Sequence, residues 1–172
     1  MPADVIVIDD EQHLRTACEQ ALELAGLTVE CHARADLALA GINAAWPGVV
    51  VSDVRMPGMD GLELLRRVMA IDPEVPVVLM TGHGDVPMAV RAIRDGAWDF
   101  IEKPFPSDLL VGAVKRALEK RRLVIENRSL LSALDAVDPL ERRLVGQHAG
   151  MVALRRQVTG FAATDADVLI EG

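Results

Sequence analysis

Short apolar runs alternate with helical periodicities over the first two thirds of the chain. Val5–Ile8, Val49–Val51, Val77–Met80 and Phe100–Ile101 read as buried strands, with Thr28–Cys31 as a weaker edge candidate. Between the first two, Leu14, Ala17, Cys18, Ala21, Leu22 and Ala25 recur at the spacing of one helix face, and Gly26 stops that helix. Helical patterns also occupy 35–45, 61–71 and 85–95, the last capped by Asp85 and ended by Gly96. Strand–helix alternation implies right-handed βαβ units and a parallel sheet with helices on both faces. The expected fold is α/β, a doubly wound five-stranded parallel sheet.

A different pattern follows. From Ser107–Asp108 no proline interrupts the chain until Pro139, and the only glycine is Gly112. Leu110, Ala113, Val114, Ala117 and Leu118 form a stripe that can dock on the sheet. Beyond it Leu123, Leu130 and Val137 are seven apart, with Asn127 and Leu134 at the d-like positions. That is a short heptad pattern with a polar residue in its seam, as in coiled coils whose register is specified. A solvated linker helix is the alternative. After Asp138–Pro139 comes a polar stretch and then Leu144–Val145–Gly146. Residues 149–163 look helical, on Met151, Leu154, Val158 and Phe161–Ala162, and Asp167–Ile170 reads as a strand. One helix and one strand cannot bury a core alone. The expected organisation is a first domain over 1–122, a long helix and coiled-coil linker over 108–138, and the start of a further domain over 139–172.

Composition narrows the class. Of 172 residues, 51% are hydrophobic and 26% charged, a globular balance. No apolar run reaches the eighteen or so residues that span a bilayer. The acidic start MPADVIVIDDEQ has no basic region, so it does not read as a signal peptide. Cys18 and Cys31 fit no CxxC or Cys/His metal spacing, which points to a reduced, cytoplasmic compartment with no membrane attachment. The net charge of −8 excludes a chain that clamps nucleic acid along its whole length. That charge is unevenly spread, −9 over residues 1–107 and +1 over 108–172, and the change coincides with the change in pattern. The basic cluster Lys115, Arg116, Lys120, Arg121, Arg122 and Arg128 is interleaved with Glu119 and Glu126. Without aromatics it reads as a solvated helix face with intrahelical pairs, or as the flank of a dimer seam.

The candidate chemistry lies where strands end. Asp9 and Asp10 follow the first strand, Asp53 the third, Thr81 the fourth and Lys103 the fifth. In an open parallel sheet those ends share one crevice. Converging carboxylates repel unless a cation neutralises them, and few carboxylates with retained waters suit Mg2+. Lys103 adds a point charge for phosphate oxygens, Thr81 a hydroxyl, and Gly82 leaves room for a ligand. Asp53 then has around it what a phosphoryl acceptor needs. Each residue alone has an ordinary reading: a helix cap, a β-former, a surface lysine. Their joint placement carries the argument.

Asp9-Asp10-Glu11, the run from Asp53 to Gly61, Thr81-Gly82-His83-Gly84 and Lys103-Pro104-Phe105 resemble the receiver domain of two-component response regulators. The resemblance implies that Asp53 is the phosphoacceptor and that Asp10 and Asp53 ligate Mg2+, with help from Asp9 and the Arg55 carbonyl. It also implies that Thr81 and Lys103 bind the phosphoryl oxygens, that Phe100 is the switch aromatic, and that Lys103–Pro104 is a cis peptide. The wording from Thr81 to Phe105 is similar to regulators of C4-dicarboxylate transport within the nitrogen-regulator (NtrC) group. Leu144–Gln147 and Asp165–Gly172 resemble the approach to a sigma-54-dependent AAA+ ATPase domain, where Gly172 would open the phosphate loop. The implied partners are a sensor histidine kinase, a second copy of the chain through the linker helix and receiver, and sigma-54 polymerase and promoter DNA through domains beyond this sequence. The resemblance also implies that ATP serves only the intact protein and that these 172 residues catalyse only their own phosphoryl transfer and dephosphorylation.

Three other readings start from parts of the same pattern. A receiver with a different DNA-binding output shares most of these motifs. An aspartyl-phosphate hydrolase of the haloacid dehalogenase type wants DxDx[TV] after the first strand, where this chain has Asp9-Asp10-Glu11-Gln12. A dinucleotide-binding module is removed by the lack of GxGxxG after that strand.

Overall fold

The computed structural model describes residues 2–82, 86–135, 146 and 148–162, without the side chains of 86, 87, 134, 135, 161 and 162. Asp85, His83, Val137, Leu144 and the expected strand Asp167–Ile170 lie outside the described residues, as do the side chains of Leu134, Phe161 and Ala162. The chain divides into two compact units, Met1–Glu126 and Asn127–Gly172.

The first unit alternates β1 (Val5–Ile8), α1 (Gln12–Leu24), β2 (Val29–His32), α2 (Ala35–Leu39), β3 (Val49–Asp53), α3 (Gly61–Ile71), β4 (Val77–Thr81), α4 (Val86–Arg94), β5 (Asp99–Glu102) and α5 (Ser107–Asp135). The five strands pair in parallel in the order β2-β1-β3-β4-β5. Every residue of β1, β3 and β4 is buried, because helices cover both faces of these central strands. Alternation sorts the side chains into two cores. Ile6, Ile8, Val50, Val77 and Leu79 meet Leu64, Leu65 and Val68 of α3 on one face. Val5, Val7, Val49, Val51, Val78 and Met80 meet Cys18 and Leu22 of α1 and Leu110, Ala113, Val114 and Ala117 of α5 on the other. The doubly wound expectation holds.

The turns follow from local chemistry. Asp60 accepts the Glu63 N–H at 2.7 Å through its side chain and starts α3 where the sequence puts it. Gly96 ends α4 at φ +103, a conformation other residues resist. Two expectations need correction. The 35–45 pattern forms only five helical residues. Gly41 and Ile42 close tight turns on Ala38 and Leu39, and the Asn43 side chain accepts the Ala45 N–H at 2.9 Å. Ile42 and Trp46 are still buried, so apolar spacing without a helix satisfies the core. In α1 the buried stripe is narrower than predicted: Cys18 and Leu22 are inside, while Ala17 is exposed.

α5 continues unbroken from Ser107 to Asp135, so a helical linker follows the first unit. Leu123, Leu130 and Asn127 are exposed on it. In the second unit, α6 (Ala149–Ala162) forms where the sequence predicts a helix, and its Arg155 donates to the Gly146 carbonyl at 2.9 Å. Among the described residues no helix is long and apolar enough to cross a membrane.

Candidate functional site

Parallel register brings the chemistry together. Ile8 pairs with Ser52 and Asp53 with Met80, so Asp9 and Asp53 stand level at neighbouring strand ends and Thr81 lies one residue beyond them. The Lys103 N–H donates to the Thr81 carbonyl at 2.7 Å and holds the chain after β5 beside β4. The Lys103–Pro104 peptide is cis, as the resemblance implies. Period-two alternation puts Asp9, Asp53 and Lys103 in line with Val7, Val51 and Ile101, which face α1 and α5. Thr81 and Phe100 share the other parity.

The centre of the arrangement is an ammonium between two carboxylates. Lys103 Nζ lies 2.6 Å from Asp53 Oδ1 and 2.8 Å from Asp9 Oδ2. Asp9 is fully buried and Asp53 is 6% exposed. Their remaining oxygens are also satisfied: Asp53 Oδ2 accepts the Arg55 N–H at 3.0 Å, and Asp9 Oδ1 accepts the Glu11 N–H at 2.9 Å. Arg15 of α1 donates to the Asp9 carbonyl. Burial pushes the Asp53 carboxyl above its ordinary value, and the Asp9 charge adds to the rise while Lys103 opposes it. For Lys103, burial acts to lower the ammonium, but its bonds to Asp53 and Asp9 outweigh that and hold it raised.

Glycine makes the approach close. A Cβ on Gly61 would collide with the Asp53 carbonyl oxygen and stand 2.9 Å from Val54 Cα, while the Gly61 N–H donates to the Val54 carbonyl at 2.9 Å. α3 therefore starts against the end of β3 only because this position has no side chain.

The other expected residues are placed as follows. Asp10 is exposed at the rim, next to buried Asp9. The Thr81 hydroxyl is buried and donates to the Gly82 carbonyl at 3.3 Å. Phe100 is half-buried on β5, and Arg55 is exposed after β3. Among the described residues no three His, Cys, Asp or Glu side chains gather into a metal cage. The donor set is all oxygen: the Asp9 and Asp53 carboxylates, both tied to Lys103, with the exposed Asp10 carboxylate beside them. That chemistry fits a Mg2+ ion that keeps several waters.

The basic cluster is where the sequence reading misses a structural residue. Arg122 does pair within the helix, with Glu119 at 3.1 Å. Lys120 instead pairs with Glu74 at 3.1 Å and sits 5.1 Å from the Trp98 ring centre. Arg121 is 0% exposed and bonds to Asp72 at 2.8 Å. A signal was present: position 121 continues the stripe of Leu110, Ala113, Val114 and Ala117 at the next i+4 step.

Comparisons with known proteins agree with this geometry. Residues 5–115 match the family described as the response regulator receiver domain. The chain is 55% identical over 168 residues to the C4-dicarboxylate transport transcriptional regulatory protein DctD of Rhizobium meliloti, covering 98% of this chain and 36% of that protein. The Pseudomonas aeruginosa DctD is 56% identical over the same shares. A crystal structure of NtrX from Brucella abortus in complex with ADP superposes with a TM-score of 0.67 at 40% identity, over 95% of this chain and 35% of that one. The chain thus spans about a third of the length of these relatives.

Proposed function

The chain belongs to the response regulator receiver domain family, and on that premise we propose that Asp53 accepts a phosphoryl group from a sensor histidine kinase. The observation that carries this is the Lys103 ammonium held 2.6 Å from the Asp53 carboxylate at a strand end. A carboxylate oxygen of Asp53 attacks the phosphorus of a phosphohistidine. The P–N bond breaks, the imidazole keeps the electron pair, and an acyl phosphate remains on Asp53. Water later cleaves it, returning the carboxylate and inorganic phosphate.

Asp10 and Asp53, with Asp9 and the Arg55 carbonyl, would hold Mg2+, whose contribution is to offset negative charge on the phosphoryl oxygens. Lys103 turns from the carboxylate to a phosphoryl oxygen, a move its flexible stem allows. The Thr81 hydroxyl exchanges the Gly82 carbonyl for a second phosphoryl oxygen. Phe100, of the same parity as Thr81, enters the space this leaves, and the change is read on the face of α4, β5 and α5. These residues act on one phosphoryl group bound to their own chain, as a signalling switch.

The organisation extends the reading. Residues 1–122 are the receiver, 108–138 the linker helix, and 139–172 the start of a sigma-54-interacting AAA+ ATPase domain. Leu123 and Leu130, exposed on the single chain, support a seam with a second copy that also uses Asn127, Leu134 and Val137. Phosphorylation would exchange one receiver dimer for another and release the ATPase, which acts with sigma-54 polymerase in the cytoplasm. By similarity to the DctD proteins, the controlled genes serve C4-dicarboxylate transport.

Acetyl phosphate with Mg2+, followed by mass spectrometry, tests the acceptor. Label on Asp53 that disappears in Asp53→Asn is expected; undiminished label in that variant overturns the assignment. Sedimentation at micromolar concentration tests the seam, with a dimer expected for the native chain and a monomer for Leu123, Leu130 and Leu134 changed to Ser.

A further inference from the structure

The sheet carries a second buried cation, at the end opposite Asp53. Arg121 donates from Nε to the Trp46 carbonyl at 2.9 Å, from Nη1 to Asp72 Oδ2 at 2.8 Å, and from Nη2 to the Ala44 carbonyl at 3.0 Å. Asp72 is itself 3% exposed, and its other oxygen accepts the Glu74 N–H at 3.0 Å. One turn of α5 therefore grips the connection before β3, through Ala44 and Trp46, and the connection before β4, through Asp72. Beside it Lys120 reaches Glu74 and the ring of Trp98, which precedes β5.

The rest of the α5 contact makes that grip informative. The docked stripe runs Leu110, Ala113, Val114, Ala117, a mostly small, smooth surface. Such a surface gives burial but little shape to prevent a helix from turning or sliding along the strands. An arginine fork demands one position, since its donors lie in a fixed plane and each meets a separate acceptor. Moving α5 by one residue would break all three bonds of the buried guanidinium to Trp46, Asp72 and Ala44, far more costly than a shifted alanine. The fork stands five residues before the first unit ends at Glu126.

We propose that Arg121 and Asp72 form a lock that sets the rotational and axial register of α5, so that the receiver's state reaches the linker through a helix fixed at its exit. The coupling rests on the phosphorylation reading above; the lock itself does not. Neither residue touches the phosphorylation site.

The test uses the full 172-residue chain with three sequences: native, Arg121→Lys, which keeps the charge without the fork, and Arg121→Met/Asp72→Asn, which removes both charges. Amide hydrogen exchange is followed by mass spectrometry over 118–126, with 107–115 as the internal reference. Exchange over 118–126 is expected to quicken about tenfold or more in the double variant and less in Arg121→Lys, while the reference segment changes little. Labelling of Asp53 by acetyl phosphate should stay within about twofold of native, and the phosphorylation-dependent change in sedimentation should shrink. If the double variant fails to fold, Arg121→Lys decides. Native exchange over 118–126 in a folded variant overturns the lock. Faster exchange with an undiminished sedimentation response overturns the coupling. A native chain that takes no label at Asp53 overturns the phosphorylation reading and the coupling with it, and exchange alone then decides the lock.

Discussion

Each end of the sheet buries an aspartate with a cation, and the two pairs are built for opposite purposes. At the end where the strands finish, Lys103 shares one ammonium between Asp9 and Asp53 in a crevice that reaches exposed Asp10. At the end where they start, Arg121 spends its fork on one carboxylate and two fixed carbonyls and is closed off from solvent. A lysine can swing its charge to a new oxygen without disturbing its neighbours, whereas a guanidinium in three fixed bonds has nowhere to go. The difference teaches that burial of charge does not identify function by itself. What distinguishes the exchangeable pair is a mobile donor and an opening beside it.

The comparison can be broken most severely at the closed end. Arg121→Ala should cost about 3–5 kcal/mol in urea unfolding, because Asp72 and two carbonyls are left buried without their donor. At the open end Lys103→Met should cost less, about 1–3 kcal/mol, since Asp9 and Asp53 lose the ammonium but keep the Glu11 and Arg55 N–H bonds. Its effect falls on chemistry: the acetyl phosphate reaction at Asp53, followed by mass spectrometry, should slow by about 10²-fold. A loss of stability at Lys103 equal to that at Arg121 would erase the distinction.

Smaller effects sharpen it. Gly61→Ala should destabilise by about 1–3 kcal/mol, as a methyl group forces α3 away from the Asp53 carbonyl, and should slow labelling more than a change of equal cost elsewhere. The smallest effect is a readout of the crevice charge by a thiol. Burial pushes Cys18 up to about 11, with Asp9 raising it further and Lys103 lowering it. Lys103→Met should therefore raise it again and slow Cys18 alkylation at pH 8 about twofold, whereas Arg121→Met should leave that rate unchanged. The sign for stability follows from the same shift. Both states carry the neutral thiol below pH 9, and as pH rises from 9.0 toward 11 the unfolded chain ionises first, so folding loses stability across that window.

The same contrast accounts for what could be read from the chain beforehand. Asp9, Asp53, Thr81 and Lys103 were legible because each follows an apolar run, and parallel strands of similar length must bring their ends together. α3 was legible because the Asp60 cap and the apolar periodicity agree there, and α6 because of its periodicity. Residues 40–45 misled because Ile42 and Trp46 keep helical spacing while Asn43 and Gly41 turn the backbone. Arg121 was missed for a related reason. It sits in a run of three cations, Lys120 to Arg122, and there charge type outweighs position in a sequence reading. Its acceptors, two backbone carbonyls and Asp72 from loops 49 to 77 residues away, have no signature in local sequence.

The placement of aromatic rings has an optical consequence. The chain holds two tryptophans and no tyrosine, and Trp46 and Trp98 both precede strands, at the closed end. Light absorbed near 295 nm is therefore taken up only there, beside the carbonyl that Arg121 engages and under the ammonium of Lys120. Nothing near Asp53 emits. An emission change on adding a phosphodonor would be news arriving from the opposite side of the sheet, and the native chain already carries the dye needed to time its arrival.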